Sequence, residues 1–413
     1  MNDEVKNNLL GALLLKILRN FEQKDTMLNF DYKNPTKILF GEGQIANLAS
    51  EIPTDKKVLI LYGGGSIKKN GIYDQVKSAL KSHEVLEFQG IPANPEYQVL
   101  LEALELIKSN SIDYLLAVGG GSVIDGTKFL AAAAKYDGEP WELVTKRVRT
   151  QTNEALPFAT VLTLPATGSE MNSGYVISRK ETKEKLSSGG PGLFPTVSVL
   201  DPTVIKSLPK RQIANGIADA YTHVLEQYLT YPINAKLQDR FSESILLTLQ
   251  DVSTPLLKGS FDYENASDFM WACTMALNGL IAKGVPTDWS VHAIGHELTA
   301  QYSIDHARTL AIIAPSHYRI MFENKKEKLA QYAERVWNVT EGSLEERAKL
   351  GIEKLEDFFH SLDIQTKLSE YTDDYKDSGK KVEKAFTDRG WLLQGERKDL
   401  TPEMARSIVE ASY

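Results

Sequence analysis

Four side chains are spaced to suit a cation: Asp219 and His223 lie four residues apart, His292 and His306 fourteen apart. The chain has only seven histidines, and four of them fall between residues 292 and 317. A carboxylate and three imidazoles hold a divalent ion and leave one coordination position for a substrate oxygen or a water. Asp219 and His223 leave the same face of a helix, one above the other, because they are i and i+4. His292 and His296 form a second such pair. Spacing alone leaves two ligand sets open, since either His296 or His306 can join His292. His296-Glu297 lacks the second histidine of an H-E-x-x-H motif, which argues against a metalloprotease. His83, His317 and His360 have no partner nearby in the sequence and read as structural or solvated.

Upstream lie two turns of another chemistry, Gly63-Gly64-Gly65-Ser66 and Gly119-Gly120-Gly121-Ser122, each directly after an apolar run. A strand that ends in glycines lets the backbone approach a pyrophosphate. The following helix then offers free N–H groups and the positive end of its dipole. The second turn departs from G-x-G-x-x-G because position 124 is isoleucine, and it misses a Walker loop because Thr127-Lys128 stand in the wrong order. A tight turn without ligand is the plain alternative for one such turn; two in one half of the chain favour a dinucleotide. From Gly63 to Tyr73 there is no acidic residue, while Ser66, Lys68 and Lys69 offer a hydroxyl and positive charge. A carboxylate there would repel a 2′-phosphate, so the turn favours NADPH over NADH.

The elements that must position these groups follow a simple division. From residue 27 to about 205, strands at 57–62, 114–118, 158–164, 175–179 and 197–201 alternate with helices at 72–80, 95–109 and 123–134. That alternation predicts an α/β half with a Rossmann-like parallel sheet covered on both faces. From 206 to 413 the β signal fades. Helical periods run over 213–228, where Pro209 suits the helix start, and over 235–249, 266–283, 288–302 and 307–322, with Asp305 placed to cap the last of these. The expected architecture is an α/β dinucleotide-binding domain, 27–205, and an all-helical metal- and substrate-binding domain, 206–413.

Composition narrows the function classes. A length of 413 residues suits two or three domains. A net charge of −8 argues against a nucleic-acid partner, which needs clustered positive charge. The lone Cys273, in an apolar stretch, reads as a buried structural thiol and fits a reducing cytoplasm. The apolar run Leu9 to Leu18 is too short to span a bilayer and follows an acidic start, so no membrane anchor or signal peptide is expected. Residues 1–26 read as a dispensable extension, because the enzyme-like pattern begins at Met27.

The ordered motifs Lys37-Ile38-Leu39-Phe40-Gly41, the two glycine turns with Val123-Ile124-Asp125, Leu164-Pro165-Ala166-Thr167-Gly168-Ser169-Glu170, Asn215-Gly216-Ile217-Ala218-Asp219-Ala220 and Gly295-His296-Glu297-Leu298-Thr299-Ala300 resemble the iron-containing (group III) alcohol dehydrogenases. The likeness runs from about Met27 to the C-terminus and is nearest the NADPH-dependent aldehyde reductase and butanol dehydrogenase branch. It implies a dehydroquinate synthase-like fold with catalysis in the interdomain cleft. It also implies Fe²⁺ or Zn²⁺ on Asp219, His223, His292 and His306, with His296 near the substrate to bind it or relay a proton. Cofactor contacts are implied at Gly64, Ser66, Gly120, Gly121, Ser122, Asp125, Thr163, Thr167 and Lys185. After Lys185 the run Ser187-Ser188-Gly189-Gly190-Pro191-Gly192 departs from the bulkier, histidine-containing family pattern. The implied reaction is reversible, NADP(H)-linked interconversion of an aldehyde and a primary alcohol, by a protein that is often a homodimer in this family. The rival readings are a glycerol dehydrogenase or dehydroquinate synthase-like enzyme on the same fold, and a non-catalytic metal- or nucleotide-binding protein.

Overall fold

The computed structural model describes residues 26–413; the expectations for the Leu9–Leu18 run fall outside them. Six strands form one parallel sheet: β1 (Lys37–Phe40), β2 (Lys57–Tyr62), β3 (Glu84–Gln89), β4 (Tyr114–Gly119), β5 (Phe158–Leu162) and β8 (Val197–Leu200). Their order across the sheet is β1-β8-β5-β4-β2-β3. The inner strands β4, β5 and β8 are buried at every residue, and β2 at all but its first, because helices cover both faces. Each Val, Ile or Leu enclosed this way contributes about 1.5–3 kcal/mol relative to exposure. The edge strands β1 and β3 carry Lys37, Glu84, Glu87 and Gln89 and are only partly covered, as edges exposed to stray pairing commonly are.

The connections explain where a ligand can sit. From β2 the chain moves outward to β3, returns to β4 on the other side of β2, and then continues to β5 and β8. The direction reverses between β2 and β4, and in open α/β sheets the crevice at such a reversal, beyond the C-terminal strand ends, is the ligand position. Tyr62 pairs with Val118 in register, so the two glycine turns emerge side by side. Of the helices of eight residues or more, α1 (Ile72–Ala79), α2 (Tyr97–Ser109) and α3 (Gly121–Ala133) belong to this half. Strand β6 (Gly174–Arg179), expected in the main sheet, instead makes an antiparallel pair with β7 (Glu184–Gly189).

Beyond Leu200 the described residues form no further strand. Helices α4 (Lys210–Tyr228), α5 (Lys236–Lys258), α6 (Tyr263–Ala276), α7 (Ser290–Tyr302), α8 (His306–Ile320), α9 (Phe322–Trp337), α10 (Leu344–Ser361), α11 (Ser378–Asp388) and α12 (Pro402–Glu410) fill the second half. Helix α4 is its axis, buried at nearly every residue from Ile213 to Tyr228 and packed against α5, α6 and α8. Helix α6 stops at Ala276, short of the expected residue 283. The turn around Gly279, at φ +88°, follows. No helix among the described residues is long and apolar enough to cross a membrane.

Candidate metal and dinucleotide site

The metal-type side chains come from three helices that meet at one wall of a cleft of about 990 Å³. Asp219 and His223 project from one face of α4, with His223 Nδ1 3.7 Å from Asp219 Oδ1. His292 stands in the first turn of α7. The chain then turns back at Ser303, in the left-handed region at φ +56°, so that His306, the first residue of α8, returns to the same place. His306 Nε2 lies 3.7 Å from Asp219 Oδ1. Asp219, His292 and His306 each bring a ligand-type atom within 4.8 Å of the other two. His223 stacks its ring on His292 at 4.5 Å between centroids, at the border of this group. His296 lies farther out, 6.1 Å from the His292 ring and 4.9 Å from the His306 ring.

These groups lack the partners that burial demands. Asp219 Oδ1, His223 Nδ1, His292 Nε2 and His306 Nδ1 are all buried without a hydrogen bond, a costly state unless something else satisfies them. Burial favours the neutral form of the cluster's imidazoles: it lowers His223 to about 4, and with the charge of Lys185 it lowers His292 to about 3. His296 and His306 are pushed well below the usual histidine range for the same reasons. Burial raises the Asp219 carboxyl, against the opposing pull of His223 and Lys185. Neutral imidazoles with bare nitrogens beside one buried carboxyl are the donor set a divalent cation requires. The residues therefore fit the metal, and a mixed nitrogen and oxygen set suits Fe²⁺ or Zn²⁺ alike.

The opposite wall is built from the glycine turn of β4. Gly121 and Ser122 open α3, whose N-cap Gly120 contributes no side chain and whose first turn holds no acid. A Cβ on Gly120 would meet Leu164 Cβ at 3.0 Å, and one on Gly121 would run into the Thr167 side chain. Gly121, Ser122, Asp125, Thr167 and Lys185 line the same cleft as the metal-type residues, whereas Gly64, Ser66, Gly120 and Thr163 are not among its lining residues. Gly64 and Ser66 lie exposed at the end of β2, and Thr163 donates its N–H to Gly119 O at 3.0 Å. Both oxygens of Asp125 are committed internally, accepting from Ser169 Oγ at 2.6 Å and Val176 N at 2.9 Å. Lys185 donates to Asn94 Oδ1 at 2.8 Å, and burial lowers its ammonium to about 8.

Several participants escaped the sequence reading. Asn94, at φ +54°, ties Lys185 to the start of α3, accepting from the Lys185 ammonium and donating its own N–H to Ser122 Oγ. Trp391, from the loop after α11, lines the cleft between the guanidinium groups of Arg147 and Arg389, 5.4 and 5.1 Å from its ring. Glu226 contacts the His292 ring; its place at 219, 223, 226 (i, i+4, i+7) was the available signal. One expectation here needs correction. Asp305 stands at the N-cap of α8 but does not cap it with its side chain, because its carboxylate accepts from Arg211 Nε and Asn215 Nδ2, each at 2.9 Å. His317 is structural, one of the two readings expected: it is buried against Asp288 at 3.2 Å. His83 and His360 likewise contact Ile52 O and Thr366. Cys273 is buried, as expected.

An α/β half with paired glycine turns, facing a helical half with a carboxylate–imidazole cluster, defines a metal-dependent nucleotide-binding oxidoreductase. Residues 35–202 match the model for iron-containing alcohol dehydrogenase, and residues 213–413 match that for the C-terminal part of the Fe-containing alcohol dehydrogenase family. The chain belongs to the iron-containing alcohol dehydrogenase family. It is 49% identical over 388 residues to the NADPH-dependent aldehyde reductase YqhD of Escherichia coli, covering 94% of this chain and 100% of that one. To the probable NADH-dependent butanol dehydrogenase 1 of Bacillus subtilis it is 42% identical over 391 residues, with 94% and 100% coverage. The crystal structure of YqhD superposes with a TM-score of 0.91 at 47% identity, over 94% of this chain and all of that one.

Proposed function

We propose that this chain catalyses the reversible, metal-dependent, NADPH-linked reduction of short- to medium-chain aldehydes to primary alcohols. The observation that carries this reading is the set of partnerless buried atoms on Asp219, His223, His292 and His306, in the same cleft as Gly121, Ser122 and Thr167. A divalent cation there supplies Lewis-acid polarisation of a carbonyl oxygen, and NADPH supplies the hydride. Asp219, His223, His292 and His306 are the ligands in this reading. The Gly120–Ser122 backbone, with Thr163 and Thr167, cradles the cofactor, and Gly64 and Ser66 extend that cradle past β2. Asp125 serves it indirectly by fixing Ser169. The His296 ring lies on the cleft wall, neutral at physiological pH, and relays the proton that the product alkoxide requires.

The relatives' names divide between NADPH and NADH. The turn argues for NADPH, because Lys68 projects over Tyr62 and Tyr73, its ammonium 5.1 Å from each ring, where no carboxylate follows Gly63 before Asp74. The division at 27–205 and 206–413, a homodimer, a cytoplasmic location and the dispensability of residues 1–26 complete the reading. The decisive experiment combines elemental analysis with NADPH oxidation across a series of aldehydes including butanal, beside glycerol with NAD⁺. A stoichiometric divalent metal and faster NADPH-linked butanal reduction are expected. Preference for glycerol with NAD⁺, or metal-replete protein inert toward every short aldehyde, overturns the reading.

A further inference from the structure

Glu226 is 1% exposed and carries a group that water cannot reach. Holding a carboxylate there costs several kcal/mol unless its oxygens are well paired. Its oxygens meet two backbone donors and one ring nitrogen, all from the start of α7. Oε1 accepts the Val291 N–H at 2.7 Å, and Oε2 accepts the His292 N–H at 3.2 Å. Oε2 also contacts Nδ1 of the His292 ring. These donors sit in the first turn of a helix, where the dipole favours a negative charge. The other ring nitrogen, Nε2, is one of the buried atoms without a partner. An imidazole that gives its Nδ1 proton to a carboxylate has a bare Nε2.

We infer that Glu226 is the positioning residue of the metal centre: it fixes His292 in the Nδ1–H tautomer and aims Nε2 at the cation. This rests on the metal reading given above, and the tests separate the two. Glu226 also receives backbone N–H groups that α7 leaves open, because the N-cap Trp289 supplies no side-chain acceptor. A role confined to capping predicts loss of stability without any change at the metal.

Glu226→Gln distinguishes these roles. Glutamine has the same shape, and with its carbonyl oxygen in the place of Oε1 it still accepts the Val291 N–H. Its amide nitrogen, turned toward the ring, can only donate, which places the imidazole proton on Nε2 and blocks ligation. The probe is Co²⁺ added to the full-length metal-free protein, measured by chelator competition and by its visible absorption. E226Q is expected to melt near the wild-type temperature when metal-free, to bind Co²⁺ about 10–100-fold more weakly, and to show an altered absorption band. Wild-type affinity and an unchanged band in E226Q overturn the inference while leaving the metal reading intact. A wild-type chain that binds no Co²⁺ overturns both. Should E226Q fail to fold, ¹⁵N-histidine NMR of the wild type decides, with His292 assigned through its loss in H292Q: Nδ1–H is required, and Nε2–H refutes.

Discussion

The two walls of the cleft do their work with different parts of the chain. The helical wall uses side chains: Asp219, His223, His292 and His306 are buried or nearly so, and their bare atoms have no protein partner. The α/β wall uses backbone, and its key positions are those where a side chain is missing, as at Gly120 and Gly121. On the first wall, chemical identity is everything and volume is secondary. On the second, volume is decisive and the chemistry comes from the peptide unit. Substitutions in the two walls should therefore fail in separable ways, one losing metal and the other losing cofactor.

The largest effect belongs to the ligands. His292→Ala or His306→Ala should purify with little metal and lose several kcal/mol of transition-state stabilisation, about 10⁴-fold in turnover. Elemental analysis beside an NADPH oxidation assay with butanal checks this, and the KM for NADPH should barely move. His296→Ala sharpens the comparison from inside the same wall. Its ring lies near the cluster but outside the set of mutually close ligand atoms. Metal content should stay at the wild-type level while kcat falls about 10²-fold, the low end of a general acid–base contribution. Metal loss in this variant would return His296 to the ligand set.

The backbone wall should answer in the other currency. A methyl group on Gly120 meets Leu164 Cβ at 3.0 Å, and crowding of this kind costs about 1–3 kcal/mol. Gly120→Ala should raise the KM for NADPH roughly tenfold, the equivalent of about 1.4 kcal/mol, with metal content unchanged. Equal metal loss in this variant would mean the two walls are not separable, and the comparison would fail.

The same division explains what could be read before the structure. Glycines after apolar runs are visible in one dimension because strand, turn and helix are contiguous, so the positions of both glycine turns are legible in the sequence. Asp219 and His223 were visible because a helix maps i and i+4 onto one face. The choice between His296 and His306 was not, because it depends on a reversal at Ser303 that side-chain period cannot encode. Family resemblance pointed to His306, and the geometry groups it with Asp219 and His292. Strand β3 escapes notice because Glu84, Glu87 and Gln89 interrupt its apolar run, and β1 because four residues are too short a run to stand out. Strand β6 was placed in the wrong sheet because local pattern does not name a strand's partner. Glu226 and Asn94 were passed over because a lone carboxylate or amide is ordinarily a surface group, and only tertiary packing makes either a partner of the site.

One buried lysine from each half extends the comparison to stability at high pH. Lys325, in the helical half, donates to Asp288 Oδ2 at 2.7 Å and to Glu396 at 2.9 Å, and although burial opposes it, these two carboxylates raise its ammonium above the usual lysine range. Lys128, in the α/β half, has only neutral acceptors: Ser169 Oγ at 2.8 Å, Asn172 Oδ1 at 3.0 Å and Gly174 O at 2.8 Å. Burial therefore lowers Lys128 to about 8, despite the nearby charges of Asp125 and Glu170. Between pH 8 and the ordinary lysine value of 10.5, the unfolded chain keeps a proton on Lys128 that the folded chain has released. More protons bound to the unfolded state means that stability rises with pH. Lys325 acts with the opposite sign: its contribution is complete below 10.5 and disappears only as pH climbs through its raised value. Denaturation of the wild type beside Lys128→Met, from pH 7.5 to 10, isolates the first group. The wild type should gain about 1–3 kcal/mol relative to the variant over that interval, with the gain beginning near pH 8. Parallel curves would mean that Lys128 stays charged, and that three neutral acceptors hold a buried ammonium as firmly as water does.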